Sequence, residues 1–313
     1  MIMSRFNQNI PQRKSRSLTQ RGRLLTSLCE AYTLTIILAF GSLAFTVNHG
    51  WAQRAERPAI SESFSTGELT LTAGAILGLG VLTIWGEELV GPHGPSMGAP
   101  AEGSNDLRFS RWAQPDFQPG HQWLKGTPDI AGYAVPALTL SYYIGGSLLT
   151  QGRGWGGAYP HEALALTEGL SWAMLSTTIL KRLVGRERPY IVRSKLGELD
   201  GEAVNMSASE QLLSFPSGHS AAIAATTFFI GADVSDALLT GPLVSQPTWM
   251  RVTVGHTLPY LTAALTSWVV MYSRVKDQRH WLSDTLTGAL IGVTSSMLSY
   301  HLHFNSRGVP HRR

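Results

Sequence analysis

The sequence of 313 residues has few charged side chains and almost no cysteine. Only 15% of its residues are charged, against about 25% in a typical soluble domain, which counts against an ordinary cytosolic enzyme. A disordered chain is excluded, because 43% of the residues are hydrophobic and can form a core. The single cysteine, Cys29, excludes an internal disulfide and a cysteine-based metal cluster. The mean hydropathy of +0.02 is low for a chain made mostly of membrane spans, and the composition favours a protein of the cell envelope.

The excess of basic over acidic residues lies near the N-terminus. Residues 1–52 contain six basic residues and one acidic residue, whereas the whole chain has a net charge of +4. The remainder of the chain is therefore close to neutral. The charge distribution gives no case for nucleic acid as a partner.

The first 52 residues have the order of a targeting segment. A basic region ends at Arg23, an uncharged apolar run occupies residues 31–47, and Gly50 and Ala52 are the small residues of a cleavage site. A signal peptide and an uncleaved signal anchor both fit, because the apolar run reaches the lower limit of ~17–25 residues for a membrane span. Either form keeps the basic end in the cytoplasm. We expect a protein of the bacterial cell envelope, in or beside the inner membrane, with its functional site on the periplasmic side.

Apolar and polar stretches divide the rest of the chain. Residues 53–128 combine an apolar run at 69–85 with a Gly- and Pro-rich connection over 91–128, which is predicted to be irregular. Residues 129–304 form the main predicted domain, and 305–313 a basic tail. Few stretches alternate with period two, so the pattern predicts an all-α helical bundle, either spanning the membrane or beside it. Its helices are predicted at 130–150, 160–184, 218–237, 256–273 and 281–303.

The first polar segment of this apolar domain is KRLVGRERP, residues 181–189. Lys181 and Arg188 are seven residues apart, which predicts two cations on one face of a helix that ends at Pro189. Two fixed cations suit a multiply charged oxyanion, and arginine offers a bidentate fork for phosphate. A basic helix end that answers its own dipole, or a cytoplasmic positive flank, explains the same residues.

The second segment is FPSGHS, residues 215–220, at the start of an apolar helix. Pro216 and Gly218 allow a sharp turn, after which the first N–H groups of the helix can bind an anion. Ser217 adds a hydroxyl donor, and His219 can exchange a proton near neutral pH. An N-cap serine beside an incidental histidine is the alternative interpretation.

The third segment contains Arg274, His280 and Asp284. Because His280 and Asp284 are four residues apart, they are predicted to share a helical face, where the carboxylate holds the imidazole N–H. The other ring nitrogen can then act as a base or nucleophile. A helix-surface contact is the alternative. A zinc site formed by His219, His280 and Asp284 is disfavoured, because the nearby basic side chains would repel a cation.

Taken together, the three segments have the patterns KxxxxxxRP, PSGH and SRxxxxxHxxxD. In this order they resemble the three signatures of the phosphatidic acid phosphatase type 2/haloperoxidase superfamily. The resemblance covers roughly residues 130–303. It implies the helical bundle of that family and a catalytic phosphatase domain at 129–304. It further implies hydrolysis of phosphate monoesters or pyrophosphates, with lipids as the expected class, through a phosphohistidine and without a metal or other cofactor.

The resemblance also implies a role for each residue of the motifs. His280 would be the nucleophile, Asp284 would orient it, and His219 would protonate the leaving alkoxide. The side chains and backbone groups expected to hold the phosphate are those of Lys181, Arg188, Ser217, Gly218 and Arg274.

Two other functions are compatible with the same motifs. A vanadium-dependent haloperoxidase has this pocket with vanadate in the place of phosphate, and a non-catalytic membrane protein can retain the fold. The envelope leader and the competent residue at every catalytic position favour the phosphatase. Its expected partners are the membrane and a phosphorylated lipid or small phosphate ester.

Overall fold

The computed structural model describes residues 65–85, 99–114, 127–150, 159–198 and 208–304. Within these ranges the regular structure is helical and contains no strand, so the predicted all-α class is confirmed. The predicted targeting segment 1–52 and basic tail 305–313 lie outside the described residues. The α-helices of the described residues, numbered α1 to α10 in chain order, are Thr66–Ile84, Asn105–Ala113, Thr127–Thr150, Tyr159–Val184, Pro189–Lys195, Ala208–Gln211, Gly218–Thr240, Thr248–Met250, Leu258–Lys276 and Leu282–His303. A π-helical stretch, Arg251–Thr257, lies between α8 and α9.

Helices α3, α4, α7, α9 and α10 occupy the places predicted for them, with bounds that differ by a few residues. The prediction that the whole connection over 91–128 is irregular is wrong, because helix α2 lies inside it. Ser104 is the N-cap of α2, and its Oγ accepts a hydrogen bond from the N–H of Leu107 at 3.3 Å. This local cap begins a helix where the overall Gly and Pro content indicates none.

Helix α7 forms the centre of the bundle. It packs against α3, α4, α9 and α10, and side chains along its length, such as Ile223 and Phe229, are completely buried. A helix that is apolar and small on all sides suits this central place. At its first residues, the N–H of Ser217 donates to the carbonyl oxygen of Asp284 at 3.0 Å, so the starts of α7 and α10 lie side by side.

Two glycines allow α10 to touch the backbone of α7. A Cβ at Gly288 would lie 2.2 Å from the carbonyl oxygen of Ser217, and a Cβ at Gly292 would lie 2.2 Å from that of Ala221. Because the two glycines are four residues apart, they lie on one face of the helix. Any side chain there would force α10 away from α7.

Gly292→Ala is therefore expected to lower the free energy of unfolding by about 1–3 kcal/mol, the usual cost of an extra methyl group in a filled contact. The matched control is Gly74→Ala on α1, where an added Cβ meets no atom within 4 Å. Alanine has the higher helix propensity, so this control should be as stable as the wild type or more so. Thermal unfolding in detergent, followed by circular dichroism, checks the contrast. Equal melting temperatures for the two variants would contradict the close approach.

Three segments of the described chain are long and apolar enough to cross a membrane: Thr66–Thr83, Pro160–Lys195 and Gly218–Thr240. Only 6% of the first segment is buried inside the protein, and α1 exposes the large side chains of Leu71 and Leu77. An uncovered apolar face of this kind is typical of an interaction surface, and the length and composition of this helix suit contact with lipid. These features indicate that the protein is associated with a membrane.

Candidate active site

The three polar segments of the sequence meet at one end of the bundle. Lys181 is in the last turn of α4, His219 is the second residue of α7, and His280 lies in the loop between α9 and α10. His219 interacts electrostatically with His280 and with the cations Lys181, Arg188 and Arg274. The structure thus brings together the five charged or titratable side chains to which the motifs assign contact with the substrate.

The prediction that Lys181 and Arg188 share one helical face is wrong. Helix α4 ends at Val184, and Gly185 adopts a φ of +59°, a left-handed conformation that glycine adopts without strain. Arg188 is the extended N-cap residue of α5, and Pro189 begins that helix instead of ending α4. A turn, rather than a helical repeat, places both cations at the site.

Arg188 also braces the backbone around the site. Its Nε donates to the carbonyl oxygen of Glu210 at 2.8 Å, and its Nη1 donates to that of Arg279 at 3.1 Å. These bonds use at least two of the five N–H groups of the guanidinium. The phosphate-binding role of Arg188 stays a prediction, and other N–H groups of the fork would have to make that contact.

Ser217 and Gly218 form the start of α7. Ser217 is the N-cap residue, and its Oγ accepts a hydrogen bond from the N–H of Ser220 at 3.4 Å, as in the alternative interpretation of this motif. At Gly218, an added Cβ would lie 3.8 Å from Nζ of Lys181, so this ammonium lies beside the helix N-terminus. The ammonium of Lys181 and the positive end of the helix dipole together favour a bound anion.

Two residues from outside the motifs complete the surroundings of His219. The ring centroid of Tyr133 is 4.5 Å from that of the imidazole. Gly132 is so close that an added Cβ would lie 2.5 Å from Cδ2 of His219. Both belong to α3. Neither residue is predictable from the sequence, because a Gly-Tyr pair inside an apolar helix carries no signal for a site.

Gly132→Ala is expected to displace the imidazole of His219 and to lower kcat on an alkyl phosphate by about 10²-fold, the lower end of what a general acid contributes. The loss should be much smaller on an aryl phosphate, whose leaving group needs no proton. The control is Gly145→Ala on the same helix, where nothing lies within 4 Å of the added Cβ. Steady-state rates on both substrates check this. Equal losses on the two substrates would contradict the link to His219.

His280 lies in a short loop, residues 277–281, which we call the His280 loop. The backbone N–H groups of Arg279 and His280 donate to the carbonyl oxygen of Arg274 at 3.1 and 3.2 Å, so the buried end of α9 closes the loop. The imidazole itself is buried. Its burial and the three nearby cations lower the pKa of His280 well below its ordinary value. The ring is therefore neutral at neutral pH, as a nucleophile must be.

The predicted hydrogen bond between Asp284 and His280 is wrong. Nδ1 of His280 donates to the carbonyl oxygen of Ser214 at 2.6 Å and is 3.8 Å from Oδ2 of Asp284. The helical i,i+4 rule does not apply, because His280 precedes Trp281, the N-cap residue of α10. Asp284 turns to that helix start and accepts from the N–H of Trp281 at 3.0 Å. Since a carbonyl only accepts, Nδ1 carries the proton and Nε2 the lone pair.

Asp284 is connected to His280 through Ser214. The hydroxyl of Ser214 donates to Oδ2 of Asp284 at 2.5 Å, while the carbonyl of the same residue accepts from His280. The other oxygen of Asp284 accepts from Nη1 of Arg186 at 2.5 Å. The role of Arg186 is not predictable from the sequence, although the residue lies inside the first motif, because nothing in that motif shows which of its four basic residues faces a carboxylate.

The zinc alternative finds no support in these contacts. Within the part of the chain that the structure describes, no three His, Cys, Asp or Glu side chains are grouped so that they could hold a metal ion. Nδ1 of His280 faces a carbonyl, and Asp284 faces the guanidinium of Arg186. A cation placed between these side chains would compete with an arginine for the same carboxylate.

Known proteins are similar to the part of the chain that carries these residues. The PAP2 superfamily model matches residues 162–307, which contain all three motifs. A PA-phosphatase related-family protein of Dictyostelium discoideum is 34% identical over 153 residues, which are 47% of this chain and 51% of that protein. A protein of Drosophila melanogaster named as a phosphatidate phosphatase is 31% identical over 152 residues, 42% of this chain and 38% of that protein. The chain thus spans about half the length of these relatives or less.

Among solved structures, the chain is similar to the transmembrane PAP2 type phosphatidylglycerolphosphate phosphatase of Bacillus subtilis. The TM-score is 0.39 and the sequence identity 19%, over 74% of this chain and 93% of that chain. The family model, by contrast, spans most of α4 and all of α7, α9 and α10, together with the loops that carry the site. On that match, residues 162–307 of this chain are similar to the PAP2 superfamily.

Proposed function

We propose that the protein is a phosphatase that hydrolyses a phosphate ester of a membrane lipid through a phosphohistidine at His280. One observation carries the proposal: a neutral, buried imidazole with its lone pair on Nε2 stands among the cations Lys181, Arg188 and Arg274. Phosphoryl transfer depends mainly on positioning and on neutralising the charge of the phosphoryl oxygens. A nucleophile surrounded by fixed positive charge supplies both. The match of residues 162–307 to the PAP2 superfamily model supports the same reaction.

In the proposed reaction, Nε2 of His280 attacks phosphorus, and the P–N bond forms as the P–O bond to the alcohol breaks. With the anionic phosphate bound among the cations, which favours a charged imidazole, protonated His219 gives its proton to the leaving alkoxide and becomes neutral. Water then attacks the phosphohistidine and gives its proton to His219, which acts as the base in this half of the reaction. The P–N bond breaks, inorganic phosphate leaves, and both histidines return to their first state.

The three cations and the start of α7 would neutralise the phosphoryl oxygens during both steps. Lys181 is a compact charge beside the first turn of α7, and Arg274 is buried next to the His280 loop. Fixed charges in a poorly solvated site act more strongly than in water and need no reorganisation during the reaction. Because these groups take the part that a metal ion plays in other phosphoryl-transfer enzymes, the proposed reaction needs no metal.

The lipid substrate is proposed from two observations. The described chain contains segments that can cross a membrane, and the Drosophila relative is named for a lipid phosphate substrate. The targeting segment supports an envelope location with the site on the side away from the cytoplasm. Both relatives are eukaryotic, so the bacterial origin expected from the leader stays a prediction.

Phosphate release by the purified full-length protein in detergent tests the function. Phosphatidic acid, a polyprenyl pyrophosphate and p-nitrophenyl phosphate are compared, and a lipid is expected to be hydrolysed fastest. Activity should survive EDTA and be blocked by vanadate, whose trigonal bipyramidal form mimics the transition state. Loss of activity in EDTA that zinc restores would contradict the metal-free reaction. Bromide oxidation in vanadate without any phosphate release would identify the haloperoxidase instead.

A further inference from the structure

We propose that helix α2 (Asn105–Ala113) is a positioning element of the active site, in which Asp106 holds Arg186 and, through it, the carboxylate of Asp284. Helix α2 lies outside the residues 162–307 that match the family model. It lies in the connection that the sequence predicts to be irregular. The inference rests on the proposed function, because it takes His280 as the nucleophile.

Asp106 binds two residues next to Asp284: Arg186, which pairs with its carboxylate, and Ser283, which precedes it in the chain. Its Oδ2 accepts from Nη2 of Arg186 at 2.8 Å and from the hydroxyl of Ser283 at 2.5 Å. Its Oδ1 accepts from the backbone N–H of Ser283 at 3.0 Å. Arg186 in turn donates from Nη1 to Oδ1 of Asp284 at 2.5 Å. One guanidinium therefore bridges a carboxylate of α2 and a carboxylate of α10.

The bridge formed by Arg186 is buried, so the orientation of its guanidinium is fixed by its partners. The side chains of Arg186 and Asp106 are 10% and 16% exposed, and that of Asp284 is 0% exposed. The guanidinium is planar, so a carboxylate bound on one side fixes the direction of the N–H groups on the other. Without Asp106, Arg186 loses the carboxylate that fixes this plane and keeps only its contacts with Ser283 and the ring of Trp281 beside Asp284. The ion pair between Arg186 and Asp284 would then be less well aligned.

A second contact from α2 reaches the His280 loop directly. Gln278 is buried and has a φ of +57°, a strained conformation for this residue that persists only where the surroundings hold it. The hydroxyl of Ser110 donates to Oε1 of Gln278 at 2.6 Å, and Nε2 of Gln278 donates to the carbonyl oxygen of Ser110 at 3.1 Å. Helix α2 thus holds Gln278, two residues before His280, and Ser283, three residues after it.

Apolar packing accounts for the attachment of α2 but not for these polar contacts. Leu107 lies in a buried cluster with Val192 and Trp281, which anchors one face of this helix of nine residues. The polar contacts of Asp106 and Ser110 instead end at the two borders of the His280 loop and at the arginine that binds Asp284. That placement is what a positioning role requires.

The test compares Asp106→Asn with Glu102→Gln, which removes one negative charge from an exposed position four residues earlier. Asparagine keeps an acceptor for Ser283 but turns an amide N–H toward Arg186. We expect kcat to fall about 10- to 100-fold, with less than about threefold change in KM, because the loss is in alignment rather than in binding. Glu102→Gln should match the wild type, and Asp106→Glu should recover part of the loss. A wild-type kcat in Asp106→Asn would overturn the proposal.

The route through Asp284 is tested by a double-mutant cycle. In an Asp284→Asn background, Asp106→Asn is expected to change kcat by less than about twofold, because the carboxylate that it positions is already gone. An equal fold-loss in both backgrounds would show that Asp106 acts independently of Asp284. That result would also overturn the proposal.

Hydrogen exchange separates this inference from the proposed function. In Asp106→Asn, the amides of the His280 loop and of the first turn of α10 are expected to exchange about tenfold faster than in the wild type, while those in the middle of α7 are unchanged. This measurement needs no turnover. A wild-type protein that releases no phosphate would sink the proposed function and leave exchange to decide the role of α2. Unchanged exchange in the loop would overturn that role.

Discussion

His280→Ala is expected to abolish phosphate release, with a fall in kcat of roughly 10⁴- to 10⁶-fold, the range seen when a covalent nucleophile is removed. The reason is geometric: the imidazole is buried, Nδ1 donates to the carbonyl of Ser214, and only Nε2 can bond to phosphorus. Alanine leaves the three cations in place, so substrate should still bind. KM is therefore expected to change far less than kcat.

The covalent intermediate gives the sharper measurement. With a substrate labelled in its phosphate, the wild type should hold an acid-labile, alkali-stable label after rapid denaturation in base, and His280→Ala should hold none. Label should form slowly in His219→Ala on an alkyl phosphate, because the leaving group lacks its proton donor. His301→Ala, at an exposed position near the other end of α10, is the matched control and should label normally. Full labelling of His280→Ala would move the chemistry to another residue.

The pH dependence of labelling follows from the surroundings of His280. Burial and nearby cations lower its pKa well below the ordinary value, so the ring should remain neutral and reactive somewhat below pH ~6.5, where an unperturbed histidine is already half protonated. The same shift has a consequence for stability. Since the unfolded chain binds this proton more readily than the folded one, the contribution of His280 to stability is complete above pH ~6.5 and decreases as the pH falls below it.

The positions of the long helices were predictable because each is a local pattern. The run predicted at 160–184 is observed as Tyr159–Val184, and that predicted at 218–237 as Gly218–Thr240. Hydrophobic periodicity and helix-start residues act over one or two turns, so they can be read from the chain directly. The convergence of the motifs was predictable for a related reason, since successive helices that pass up and down a bundle return their ends to the same side.

The features that could not be predicted from the sequence depend on where individual helices begin and end. The spacing of seven between Lys181 and Arg188 indicates a shared face only if the helix continues, and it ends at Val184 before a left-handed glycine. Helix α2 was missed because a nine-residue helix begun by one serine is hidden in a long Gly- and Pro-rich connection. Its tie to Arg186 crosses 80 positions of sequence, and no local pattern carries that information.

Asp284→Asn is expected to lower kcat by about 10³-fold, somewhat less than the ~10⁴-fold seen when a carboxylate that bonds its histidine directly becomes an amide. The smaller figure reflects the indirect path, since Asp284 reaches His280 only through Ser214. The amide would also turn an N–H toward Arg186 or Ser214, both of which are donors to the carboxylate. Steady-state kinetics should show the loss in kcat with little change in KM.

The same variant is expected to be less stable, which an isolated His–Asp dyad on a helix surface would not predict. Asp284 is completely buried and accepts hydrogen bonds from Ser214, Trp281 and Arg186. Removing one partner of a buried ion pair costs about 3–5 kcal/mol, and the lower end applies because Arg186 keeps Asp106. Denaturant unfolding in detergent measures this loss, and a wild-type unfolding midpoint would contradict the buried pair.

Combining the two substitutions separates the catalytic role of Asp284 from its structural one. In a His280→Ala background, Asp284→Asn should cost almost nothing more in turnover, because residues that act as a unit are not additive. Its cost in stability should be the same in both backgrounds, since the pair with Arg186 does not involve the imidazole. Ser214→Ala supplies the matched comparison, because it removes the hydroxyl between Asp284 and the loop but keeps the carbonyl that binds His280. Ser214→Ala should therefore lose less activity than Asp284→Asn. If the double mutant of His280→Ala and Asp284→Asn is slower than His280→Ala alone, Asp284 takes part in a chemical step of its own.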